Sequence, residues 1–137
     1  MGSGHTNLAS VGALAADLLV EACGVGDGLH PATVRGLAED LGRGLRSSSG
    51  TSDPLVEAAL ACADLATLAA CNAPALPDAG GATAAAHLAA GTARALAALA
   101  EAGIGAPEDA HAHNVLRDAR SAGWKADLAV RQLSDAS

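Results

Sequence analysis

Residues 78–103 read DAGGATAAAHLAAGTARALAALAEAG. Nothing inside this stretch breaks a helix. Alanine has the highest helix propensity of any residue, no proline interrupts, and Leu88, Leu96 and Leu99 fall opposite Thr83, His87, Arg94 and Glu101 on a helical wheel. Asp78 suits the N-cap, where a carboxylate accepts from free backbone N–H groups, and Gly103 suits a left-handed C-cap just after Ala102. So long a run of small residues has to pack closely against other helices, which sets the fold class as all-α.

Composition extends this reading to the whole chain. Of 137 residues, 37 are Ala and 19 are Leu, against 7 Val, one Ile, one Trp and no Phe or Tyr. Sheets need the β-branched and aromatic side chains that are nearly absent, so a strand-rich fold is excluded. A charged fraction of 17% with leucine recurring throughout excludes disorder. More than half of the hydrophobic residues are alanine, which buries little area per residue. A bundle of four to five helices with so thin a core is expected to be completed by oligomerisation, as a homodimer. Residues 7–137 form one domain, preceded at residues 1–6 by a flexible lead-in with the Gly-Ser composition of a vector remnant.

Punctuation marks the other helices. The first is expected from Leu8 to Cys23, with Leu19 and Ala22 facing in, Asp17 and Glu21 facing out, and the glycines from Gly24 to Gly28 ending it. Pro31 suits the first turn of the second, whose stripe is Val34, Leu37, Leu41 and Leu45 and whose Glu39 and Arg43 form an i,i+4 pair. The serine-rich run from Arg46 to Ser52 reads as a mobile loop. Asp53-Pro54 opens the third helix, which runs to Cys71 and should be largely buried. Prolines then break the chain before Asp78. Pro107, Glu108 and Asp109 mark the start of the fifth helix, with an inner stripe of Val115, Ala119, Ala122, Ala126, Ala129 and Leu133.

Charge and cysteine content bound the function. Eight basic against 15 acidic residues argue against nucleic-acid binding, which needs a clustered basic surface. The lack of any Lys or Arg before Arg35 removes the positive region of a secretory signal. Asp17 and Glu21 interrupt the first apolar stretch short of a membrane span. Cys23, Cys62 and Cys71 show no metal or redox spacing, and Cys62 and Cys71 would face opposite ways on one helix, so all three are expected as free thiols buried as small apolar groups in a cytoplasmic protein.

Two places could carry chemistry. His87 near Arg94 could act as a general base beside an anion-binding group, or simply belong to a solvated helix face. Asp78, Gly80 and Gly81 could cradle an anion on free backbone N–H groups at a helix start, or Asp78 could be a plain cap. His111 and His113, two apart on a helix, point about 200° apart and have no third ligand at suitable spacing, so no metal is expected. Trp124 lies opposite the inner stripe of its helix, with Arg117, Arg120, Leu128 and Arg131. Three roles fit it: a subunit interface, burial on both sides of the helix, or stacking on a flat ligand.

The stretch from Pro54 to Ile104 resembles the formiminotetrahydrofolate cyclodeaminase / methenyltetrahydrofolate cyclohydrolase family. The likeness is carried by Pro54-Leu55-Val56-Glu57-Ala58 opening an Ala/Leu helix, by Cys71-Asn72 followed by Asp78-Ala79-Gly80, and by the small-residue helix ending Ala102-Gly103-Ile104. It implies an all-helical oligomer that cyclises a folate-bound one-carbon unit or hydrolyses its methenyl bridge. A tetrahydrofolate derivative would be the substrate, in a cleft near Asn72, Asp78 and His87. The residues themselves imply no cofactor and no membrane, only the possibility of a small anionic ligand. The competing class is a noncatalytic helical homodimer that binds a partner or scaffolds an assembly. An enzyme needs polar groups converging in a concave site, whereas a scaffold needs an exposed apolar patch.

Overall fold

The computed structural model describes residues 2–24, 28–47 and 53–136, with side chains from Asn7 to Asp135. Helices α1 (Gly2–Ala22), α2 (Leu29–Arg46), α3 (Pro54–Asn72), α4 (Ala79–Ile104) and α5 (Ala110–Ala136) account for nearly all of it, with one 3₁₀ turn at Ala73–Ala75 and no strand among the described residues. The chain is the all-α bundle its composition requires.

Polar side chains that bridge helices give their directions. Arg46 of α2 meets Asp17 of α1 at 2.6 Å. Arg94 and Glu101 of α4 meet Asp127 and Arg120 of α5 in reversed order, as antiparallel helices must. Asp53, Asp64 and Cys71 meet His111, Lys125 and Gln132 in the same order, so α3 and α5 run parallel. The backbone N–H of Asp78 donates to the Ala22 carbonyl at 3.2 Å, setting the start of α4 against the end of α1. The five helices therefore alternate in direction. The α3–α4 pair is central, α5 packs on both of its members, α1 packs chiefly on α4, and α2 lies against α1 and α3.

Alanine makes the contacts. Ala59, Ala63, Ala66 and Ala69 of α3 and Ala82, Ala85, Ala86, Ala89 and Ala93 of α4 are fully buried, while the bulkiest fully buried residues are only Leu19, Leu65, Leu96, Cys23 and Cys62. Pro54–Ala75 is long and apolar enough by composition to cross a membrane. In this fold 44% of that window is buried, chiefly against α4 and α5.

Several boundaries and faces differ from the sequence reading. α1 begins at Gly2, not Leu8, so its backbone is helical from residue 2 to residue 6 of the stretch read as a lead-in. In α2 the buried residues are Val34, Ala38, Gly42 and Leu45, and Leu37 is 48% exposed: the helix meets α1 through small residues, which rotates the inner face away from the leucine stripe. Arg43 pairs with Asp40, not Glu39. Gly103 lies inside α4, and the cap falls to Gly105, where φ is +63°, a left-handed value that glycine tolerates best. α5 starts after Pro107 and Glu108, because Asp109 is its cap and accepts from the Ala112 N–H at 2.7 Å. Gly24 ends α1 with φ +69°, while residues 25–27 of the expected turn and 48–52 of the expected loop lie outside the described residues.

Three helices meet closely at Gly12 of α1. A Cβ there would stand 2.5 Å from Cys62 Sγ of α3 and 3.2 Å from Leu45 Cδ1 of α2. Both neighbours are buried, so neither can retreat into solvent. Gly12→Ala should therefore destabilise the fold by ~1–3 kcal/mol despite alanine's better helix propensity. Gly91→Ala, with nothing within 4 Å of the new methyl, should instead gain up to ~1 kcal/mol. Urea midpoints of the two variants check the pair, and Cys62→Ala should relieve the penalty at Gly12.

Candidate functional site

The residues singled out around α4 go to separate places. Asp78 is the α4 N-cap, its carboxylate accepting from the Gly81 N–H at 2.9 Å. A side chain at Gly81 would collide with that carboxylate, so this glycine leaves room for the cap. The presence of a glycine in a first turn is thereby explained, and one of the N–H groups expected to cradle an anion is already used. At Gly80 a methyl would lie 3.7 Å from the carboxylate, an ordinary contact, so nothing in the packing requires that glycine. Asn72 turns back on its own helix, its Nδ2 donating to the Leu68 carbonyl at 2.7 Å.

His87 is exposed, nine residues or about 13 Å along α4 from the cap. With Thr83, Ala79, Pro74, Leu133 and Ser134 it lines a cleft of about 310 Å³ between the start of α4 and the end of α5. The Thr83 hydroxyl donates to the Ala79 carbonyl at 2.8 Å. Arg94, about 10 Å further along the helix, belongs to a different groove, where it pairs with Asp127 at 3.0 Å. Histidine and arginine share a helix face without sharing a site.

That second groove, of about 390 Å³, runs between α4 and α5 over a floor of Ala97, Ala98, Ala119 and Gly123. Arg94–Asp127 closes one end and Glu101–Arg120, at 3.2 Å, the other. Trp124 stands midway on its α5 side and is 63% exposed, with Leu128 one turn on at 40%. Arg120 and Arg131 are exposed on the same helix. Trp124 is thus not buried between two layers of this chain. The sequence reading missed the bracket, although it left a signal: Arg94 and Glu101 are seven apart on one helix, and Arg120 and Asp127 are seven apart on another with the signs reversed.

At the other end of the bundle His111 Nε2 lies 3.2 Å from Asp53 Oδ1, joining the starts of α3 and α5. The Asp53 side chain makes no cap bond to its own helix. Among the described residues no three His, Cys, Asp or Glu side chains are placed to hold a metal ion.

The thiols are all free, but not all buried. Cys71 is exposed and its Sγ–H donates to Gln132 Oε1 at 3.3 Å. Burial raises the Cys23 thiol, with the Arg35 guanidinium partly opposing it, and pushes Cys62 up to about 12. Arg35 bonds the Gly24 carbonyl at 2.8 Å, which holds its charge near the end of α1.

Compared with known protein families, characterised proteins and solved structures, the chain matches none.

Two outcomes follow for stability and reactivity. Asp78→Ala removes a cap and should cost ~1 kcal/mol, read as a lower urea midpoint. Cys62 titrates at about 12 in the fold but near the ordinary 9.0 when unfolded. Between those values only the unfolded chain loses the proton, so stability falls with rising pH by up to ~1.4 kcal/mol per unit and shows no such slope below. Cys62→Ala should flatten urea midpoints measured from neutral to alkaline pH, and a thiol reagent at neutral pH should label Cys71 at once and Cys23 and Cys62 only on unfolding.

Proposed function

We propose that the protein is a noncatalytic helical module that acts by association through the face α4 and α5 share. The observation that carries this reading is the exposure of Trp124, the chain's one aromatic residue, in the middle of a groove between two helices. An indole is costly to leave in water, and tryptophan with arginine beside it is the composition enriched at the centres of interfaces. The groups of a catalytic reading are occupied differently: Asp78 caps a helix, Asn72 bonds its own helix, and Arg94 is paired one groove away from His87.

A second reading keeps a small helical enzyme of folate-linked one-carbon chemistry. It is favoured by the cleft of about 310 Å³ at His87, near the lower end of the volumes of ligand pockets. In that reading His87 is the general base and Thr83 and Ser134 are the polar groups beside it, while Asp78 and Arg94 take no part.

A thermal-shift series with reduced folates separates the two, since a ligand that binds only the native state raises its melting temperature. The association reading expects no shift with any folate. A saturable stabilisation that disappears in His87→Ala and persists in Trp124→Ala would replace it with the enzyme reading.

A further inference from the structure

The charges around the Trp124 groove form a checkerboard. On α4 the order is Arg94 then Glu101; on α5, level with them, it is Asp127 then Arg120. Turn a copy of this pattern face to face with itself about an axis parallel to the helices, and Arg94 opposes Asp127 while Glu101 opposes Arg120. Each opposition occurs twice by symmetry, and all four are between unlike charges. A surface that attracts its own image is what an isologous two-fold contact requires.

Bulk follows the same axis. α5 carries the indole at mid-groove, and α4 presents small residues at that level, Ala97 and Ala98. The same rotation lays α5 of one copy over α4 of the other, so each Trp124 comes down on the alanine floor of its partner. A two-fold axis across the helices would also pair unlike charges, but it sets tryptophan against tryptophan and leaves both alanine floors open.

Net charge points to the same face. The chain carries −7, so two copies repel in general. Four of its eight basic residues, Arg94, Arg117, Arg120 and Arg131, lie on this face, against four acidic ones on the whole of α4 and α5, while Lys125 is turned to Asp64 of α3. The remaining acid is concentrated elsewhere, which makes this the side where a second copy approaches at least cost. Size is adequate too. A helix of 26 residues is about 39 Å long and a two-helix face about 20 Å wide, close to the ~800 Å² per partner of a standard interface.

We infer that the partner is a second copy of the chain, docked about a two-fold axis parallel to α4 and α5, with each Trp124 seated in the other copy's groove between the two ion pairs. This rests on the association reading, but the two fail separately: folate binding that depends on His87 removes the reading, whereas a chain that remains monomeric removes only the choice of partner.

Sedimentation equilibrium of the full chain tests it, with circular dichroism to confirm that each variant is folded. The unmodified protein should be a dimer at micromolar concentration. Trp124→Ala should dissociate about 30-fold more readily or more, as for a central aromatic anchor. Arg94→Glu with Arg120→Glu makes all four corners acidic and should abolish the dimer. Arg94→Asp with Asp127→Arg exchanges the signs within one pair, keeps every opposition unlike for the parallel axis, and should dimerise like the parent. For an axis across the helices the same exchange opposes like charges and would give a monomer. A monomeric parent, a dimer indifferent to Trp124→Ala or to the two glutamates, or a monomeric exchange variant would each overturn the inference.

Discussion

Alanine side chains, fully buried along both α3 and α4, make the contact around which the rest of the bundle is arranged. Such a contact lets two helix backbones approach to the near end of the usual range and replaces side-chain interdigitation with dispersion between main chains. It also buries little apolar area per residue. Stability then comes from having few gaps, and from α3 and α4 being covered on several sides at once. The fully covered Ala63, Ala66, Ala86 and Ala89 show how completely the central pair is enclosed.

Uniform small residues pack tightly but specify register poorly, because a slide of one turn sets one methyl where another stood. The exceptions to uniformity must do the specifying. Gly12 accepts Cys62 and Leu45 where any larger residue would clash, and a Cβ at Gly42 would come within 3.1 Å of Ala16. Between α4 and α5 the register is marked by two ion pairs, and between α3 and α5 by Asp53–His111, Asp64–Lys125 and Cys71–Gln132. These groups are exposed or half-exposed, so each contributes little energy. Their value is that a slipped alignment would leave them mismatched.

How much of this the sequence reveals depends on which forces act locally. Helix identity, the prolines, the Asp78 cap and the inner stripe of α5 are decided within a few residues and can be read directly. The cap at Gly105 instead of Gly103 cannot, since an alanine-rich helix loses little by continuing two more residues before a glycine turns the chain. Nor can the inner face of α2, because the wheel ranks Leu37 above Ala38 and Gly42, whereas a helix pressed against α1 has room only for the smaller pair. The candidate site was legible residue by residue but not as a set. His87 and Arg94 share a strip of wheel, yet the first faces the end of α5 and the second its middle, in separate grooves, a partition that belongs to tertiary structure.

The same packing rule bears on what Trp124 means. Helices spaced by alanine leave no gap for an indole, and forcing one in would cost more than its burial returns. Any aromatic residue in this chain must therefore lie outside the core, which explains where Trp124 is but not why it is there. The absence of Phe and Tyr shows that the fold itself has no use for an aromatic side chain. A residue the core cannot accept and the helix does not need has to be accounted for by its surroundings on the surface. Those surroundings are an alanine-floored groove, a leucine one turn away and four alternating charges. Burial of the indole there by a partner would add to a thin core the large apolar contact that it lacks, and would make folding stability depend on chain concentration.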